Sequence, residues 1–132
     1  MSVEQGTTEK DDASTQGKKC KAEGKGAVTV LVFPDQNGAN LAVSSGRAPL
    51  GFADSPVVDY QVKQSNGQFK VVGQPYANAP YGLAVPKGSG LAPAVLAAVK
   101  TLMKNGTYHQ ILTHWGVQAG AISTPKINGA TS

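Results

Sequence analysis

The sequence is short of the features that most often announce chemistry. Its one cysteine, Cys20, cannot form an intrachain disulfide, and no dedicated histidine base accompanies it. The longest apolar runs are only a few residues, too short for a membrane span. Met1 leads straight into Ser-Val-Glu-Gln, so this stretch carries no export signal. HExxH and GxSxG are absent, and Gly88-Ser89-Gly90 lacks the Lys-Thr/Ser that completes a phosphate loop. His109 and His114 stand five apart, facing different sides of one helix, which makes a poor metal pair. No catalytic residue, metal site or cofactor is expected.

What is present suits one ordinary domain. The 132 residues include 16 glycines and 8 prolines, which predicts many turns. Net charge is +4, with Lys18, Lys19, Lys21 and Lys25 crowded into KKCKAEGK. Such a run suits phosphate or anionic lipid, or is simply a solvated loop or helix end. No aromatic residue is interleaved with these lysines, so the stacking half of single-strand binding is missing and nucleic acid is disfavoured.

The pattern alternates strand and helix. SVEQG (2–6) is a short extended segment, and TTEKDDAS follows with acids that favour a first helical turn. AVTVLVF (27–33) is continuously apolar, as in a strand covered on both faces. PDQNGANLAVSSG (34–46) reads as a turn, a short helix and a glycine stop. APLGFAD (48–54) is another buried strand, and SPVVDYQVKQ a helix opened by Ser55 and Pro56. QFKVVG (68–73) and YGLAVPK (81–87) are further strands. Leu91, Val95, Ala98 and Leu102 form a helical stripe ending at Asn105-Gly106. Tyr108, Ile111, Leu112 and Trp115 form a second stripe before Gly116. The order predicts an α/β domain with a mainly parallel sheet.

Open parallel sheets bind ligands outside the carboxyl ends of their strands. After the first strand come Gly6, Thr7 and Thr8, where amides and two hydroxyls at a helix start suit a carboxylate or phosphate. Capping of the helix explains the same threonines. After the second strand, Asp35 or Asn37 can cap, and Gln36 can face either way. After the third stands Asp54. Because Ser55 can cap and Pro56 fills the first turn, capping does not require Asp54, whose carboxylate suits an ammonium. Interaction with the helix dipole is the alternative. Thr7 and Thr8 with Asp54 thus complement a zwitterion.

The stretches VEQGTT (3–8), FPDQNGANLAVSSGRAPLGFADSPV (33–57), KVVGQPYANAPYGLAVPKGSGL (70–91) and LMKNGTYHQILTHWGV (102–117) carry a resemblance. In this order they resemble the second part of bacterial extracellular solute-binding proteins of family 3, the receptors of polar amino-acid ABC transporters. LysR-type effector domains share the general fold but lack the NGTYHQILTHWG-type ending. The resemblance implies a type II periplasmic-binding-protein-like fold, with a ligand held between two α/β lobes. It implies that Thr7 and Thr8 hold the α-carboxylate, that Asp54 holds the α-ammonium and that Gln36 is a secondary contact. It further implies an extracytoplasmic parent protein, periplasmic or a cell-surface lipoprotein, that delivers an amino acid to a membrane permease.

On this reading residues 1–74 are lobe two, 75–80 the return crossover and 81–116 a strand and helices that normally pack on lobe one. Residues 117–132 are an extended tail. Most of lobe one is expected to be missing, leaving two apolar helices that fold back or pair between chains as a swapped dimer. An amino-acid-binding module is the leading expectation. A ligand-sensing or interaction domain of the same fold, without a transport role, is its rival.

Overall fold

Strand β1 (Ser2–Glu4) is hydrogen-bonded along both edges. On one side it pairs in parallel with β2 (Leu31–Phe33), Ser2 opposite Leu31 and Glu4 opposite Phe33. On the other side Ser2 forms a parallel bridge with Gly51. Its N–H donates to Leu50 O at 2.9 Å and its carbonyl accepts from Phe52 N at 3.0 Å. Adjacent residues of a strand direct their backbone groups to opposite sides. Ser2 therefore faces residues 50–52, while the Met1 carbonyl and Gln5 N–H bond to Leu31 and Phe33 of β2. The lateral order is β2, β1, residues 50–52, all running the same way.

In the computed structural model, which describes residues 1–130, these segments belong to the first of two units, Met1–Val71. Helix α1 (Thr8–Ala22) links β1 to β2, and α2 (Gln36–Ser44) leads from β2 to residues 50–52. A third helix, α3 (Ser55–Gln64), follows that segment. Parallel crossovers are right-handed; the one through α1 runs from β1 to β2, and the one through α2 runs back past β1 to residues 50–52.

The core is small. Val3, Ala13, Ala39, Ala42 and Ala48 are buried with Ser2, whose hydroxyl donates to Ala39 O at 2.9 Å. Alanine dominates because α2 lies close on the sheet. A methyl added at Gly38 would stand 3.3 Å from Phe33 Cβ, tighter than an ordinary contact.

Several strand expectations are corrected. The strand expected over 27–33 pairs only at Leu31–Phe33, and Val32 is 44% exposed, so it is not covered on both faces. A ladder lasts only as long as its partner, and β1 offers three paired residues. Residues 48–54 form one bridge at Gly51 rather than a full strand. Helix α3 begins at Ser55, which makes Asp54, not Ser55, the N-cap residue.

The second unit runs from Val72 onward. Residues 81–87 are not a strand, and neither are 68–73, which span the boundary between the units. An extended segment becomes a strand only when another backbone takes up its N–H and C=O groups. Helix α4 (Leu91–Lys104) and helix α5 (Thr107–Trp115) pack together. Gly106, at φ +82°, makes the sharp turn between them in a conformation that a side chain would disfavour. No described residue of this unit is buried. The expected stripe is split: Val95 is half-buried beside Ala92, Leu96, Val99 and Met103, while Leu91, Ala98 and Leu102 are exposed. Ile111 and Trp115 are exposed as well, at 46% and 50%. The tail expected to be extended contains a 3-10 turn at Gln118–Gly120 and is tied to α5 by Ile122 N donating to Tyr108 Oη at 3.1 Å. Its last two residues lie outside those described.

Because Val3 is fully buried in the central strand, Val3→Ala is expected to destabilise the first unit by about 2 kcal/mol. Urea denaturation followed by far-UV circular dichroism measures this. An unchanged midpoint would contradict the position of β1 at the centre.

Candidate ligand-binding site

Three parallel segments end on one edge of the sheet. The order β2, β1, 50–52 contains a reversal: the chain leaves β1 toward one side and comes back past it to the other. In such sheets the crevice opens at that reversal, between the exits of the central strand and of the third segment. Here those exits carry Thr7-Thr8 and Asp54. Gln36 opens α2 three residues after β2 ends, and Asp54 stands immediately before α3.

Gly6 turns the chain from β1 into α1 at φ +78°, a value that suits glycine. Thr7 is the N-cap. Its hydroxyl accepts from Lys10 N at 3.3 Å and donates to Glu4 O at 2.9 Å. Capping, offered above as one explanation of the threonines, is therefore what the Thr7 hydroxyl does. The Thr8 hydroxyl donates to Glu9 Oε2 at 3.3 Å on an exposed surface. What remains at this helix start are the amides of Thr8 and Glu9, which have no carbonyl one turn earlier in the helix. They form the positive end of the α1 dipole.

An open cleft of about 510 Å³ lies at this helix start. Gln5, Gly6, Thr7 and Thr8 line it, together with Lys10, Asp11 and Val32. Lys10 and Asp11 form an exposed ion pair at 3.0 Å. No motif in the sequence marks them as lining residues. Their spacing from Thr7, three and four residues on, was the available signal that all three share one helix face.

Gln36 and Asp54 are not among the lining residues of this cleft. Gln36 Nε2 donates to Asn40 Oδ1 at 2.9 Å, which ties the amide to its own helix. Asn40 Nδ2 is buried without a hydrogen-bond partner among the described residues, a cost of about 1–3 kcal/mol. Asp35 caps α2, its Oδ1 accepting from Gly38 N at 2.8 Å. Asp54 caps α3 by position, but its carboxylate makes no capping hydrogen bond. No metal-binding cluster of histidine, cysteine and acidic residues occurs among the described residues. No helix among them is long and apolar enough to cross a membrane.

The parallel segments and their helices make a mixed α/β unit with a small parallel sheet. Comparison with known proteins sharpens this. The chain is 38% identical over 120 residues to the arginine-binding protein ArgT of Corynebacterium glutamicum, covering 91% of this chain and 40% of that protein. It is 31% identical over 107 residues to the ABC transporter glutamine-binding protein GlnH of Bacillus subtilis, covering 80% of this chain and 38% of that one. The chain matches these relatives over most of its length, and both are bacterial extracellular solute-binding proteins of family 3. It spans about two fifths of the length of these relatives, which are binding proteins and not enzymes. No protein-family model matches the chain. No solved structure matches it.

Thr7→Ala is expected to destabilise the first unit by about 1 kcal/mol through loss of the cap, and Thr7→Ser to stay near the parent. Thermal melts of both variants test this. Equal stability of all three proteins would show that the hydroxyl caps nothing.

Proposed function

We propose that this chain is the amino-acid-binding part of an ABC-importer receptor, with residues 1–74 as its second lobe. The ligand α-carboxylate docks at the amides and hydroxyls of Thr7 and Thr8. The ligand α-ammonium meets Asp54, and Gln36 is a secondary contact from the neighbouring exit. One observation carries the reading: β1 lies between β2 and residues 50–52, so the amide-rich exit and the Asp54 exit flank the reversal of strand order.

The relatives add a chemical argument. One is named for arginine and the other for glutamine. Their side chains differ in charge, and what the two ligands share is the zwitterionic head group. A site built from helix amides and one carboxylate recognises that shared part and leaves the side chain to other surfaces. Thr7 contributes mainly by holding the helix start in place, since its hydroxyl is committed to Lys10 N and Glu4 O. Residues 75–80 act as the return crossover, and residues 81–116 pack on the first lobe of the intact receptor. In that receptor, extracytoplasmic as in the rest of the family, the partners are the amino acid and a membrane permease.

Affinity follows from the open cleft. A micromolar site corresponds to about −8 kcal/mol. Charge-assisted hydrogen bonds contribute about 1.5–3 kcal/mol each, and association costs about 4 kcal/mol or more. Two or three such contacts exposed to water give about millimolar binding. Titration calorimetry with arginine, glutamine and the other common amino acids is expected to show dissociation constants near or above millimolar, and Asp54→Asn to abolish what is measurable. Submicromolar binding by this chain, or unaltered binding in Asp54→Asn, would refute the assignment.

A further inference from the structure

Helix α1 is divided by charge. Glu9 and Asp11 lie in its first turn, Lys19 and Lys21 in its last. The helix dipole favours this arrangement, but it also gathers Lys18, Lys19, Lys21 and Lys25 at one end of the unit. Two lysines near α1 are neutralised: Lys10 pairs with Asp11 at 3.0 Å, and Lys25 with Glu23 at 2.7 Å. Among the described residues no carboxylate pairs with Lys18, Lys19 or Lys21.

A second cleft, of about 320 Å³, lies at this end. Ser14, Lys18 and Lys21 border it from α1, and Ala27, Val28 and Val30 from the segment leading into β2. Ser14, Lys18 and Lys21 are spaced four and three residues apart, so they share one helix face. Gly17 brings the two walls together: a methyl group there would stand 3.4 Å from Val28 Cβ. The Ser14 hydroxyl donates to Lys10 O at 2.9 Å, so the groups offered to a ligand are the two ammoniums. Beside them Ala27 is exposed, and Val28 and Val30 are half-buried.

We propose that this cleft and the lysines around it bind anionic phospholipid at a membrane surface. Lysine ammoniums are compact point charges on flexible stems, without the planar fork that selects a single carboxylate. They suit a layer of phosphates, and their stems can lie along the apolar wall while the charges reach the head groups. Single-stranded nucleic acid would need stacking surfaces, and the cleft has no aromatic lining residue. Because α1 runs back from the strand-exit edge, its lysine end lies about 20 Å along the helix from Thr8. Lipid contact there leaves the amino-acid cleft open. This inference stands independently of the proposed ligand.

The test is co-sedimentation of the whole chain with vesicles of phosphatidylglycerol, or of phosphatidylcholine alone, at 50 and 500 mM salt. Binding is expected to phosphatidylglycerol only, to fall at high salt, and to weaken about thirtyfold in Lys18→Gln/Lys21→Gln, at about tenfold per 1.4 kcal/mol and about 1 kcal/mol per lysine. Lys100→Gln/Lys104→Gln, in the second unit, is expected to bind like the parent. Circular dichroism confirms that both variants fold. Equal binding to neutral vesicles, which the exposed apolar residues of α4 and α5 would produce, overturns the proposal. So does no binding to phosphatidylglycerol, or unchanged binding in Lys18→Gln/Lys21→Gln. Release of the protein by millimolar inorganic phosphate at constant ionic strength would reassign the cleft to a free anion, and equal affinity for polyglutamate would reassign it to acidic protein.

Discussion

The first unit depends on one short strand being hydrogen-bonded along both edges. With β2 on one side and residues 50–52 on the other, β1 can be buried without leaving backbone groups unsatisfied. Burial of Val3 and Ser2 follows from that position, and so does the approach of α2 through Ala39 and Ala42. The same pairing sets the direction of all three segments and brings their exits to one edge. Architecture and site therefore have a common cause.

At that edge the proposed ligand contacts involve atoms that the helix start also uses. The Thr7 hydroxyl is used in both directions, as acceptor from Lys10 N and donor to Glu4 O. A carboxylate arriving there would find the amides of Thr8 and Glu9 already aimed outward by a capped helix, so little ordering remains to be done on binding. Asp54 shows the reverse case. It occupies a cap position without forming the cap hydrogen bond, and Pro56 in the first turn has no N–H to offer.

The second unit is held together differently. Helix α4, LAPAVLAAVKTLMK, is apolar around most of its circumference, a composition that suits a helix covered on several sides. Here it is covered mainly by α5, and Leu91, Ala98 and Leu102 remain exposed. The segment 81–87, rich in strand-forming residues, forms no strand among the described residues. Both observations express one physical fact: amphipathic and extended segments have a structure only relative to the surface that meets them.

Helix positions were legible in the sequence because their signals are local. Thr7 before acids, Gly106 after Asn105 and Gly116 after Trp115 act within a single turn, and each marks a boundary that the structure retains. The parallel α/β character and the two threonines at the first strand exit could be read in the same way. Strand extents could not, since 27–33, 48–54, 68–73 and 81–87 all have strand composition and only the partner decides which residues pair. Nor could the cleft-lining roles of Lys10, Asp11 and Val32. The sequence by itself determined where the chain turns, which helices form and which residue types stand at the strand exits, because those depend on neighbours a few bonds away. Only the tertiary structure decided that β1 lies between its two partners, because hydrogen bonds between strands join residues about 30 to 50 positions apart, and no local preference encodes such a distance.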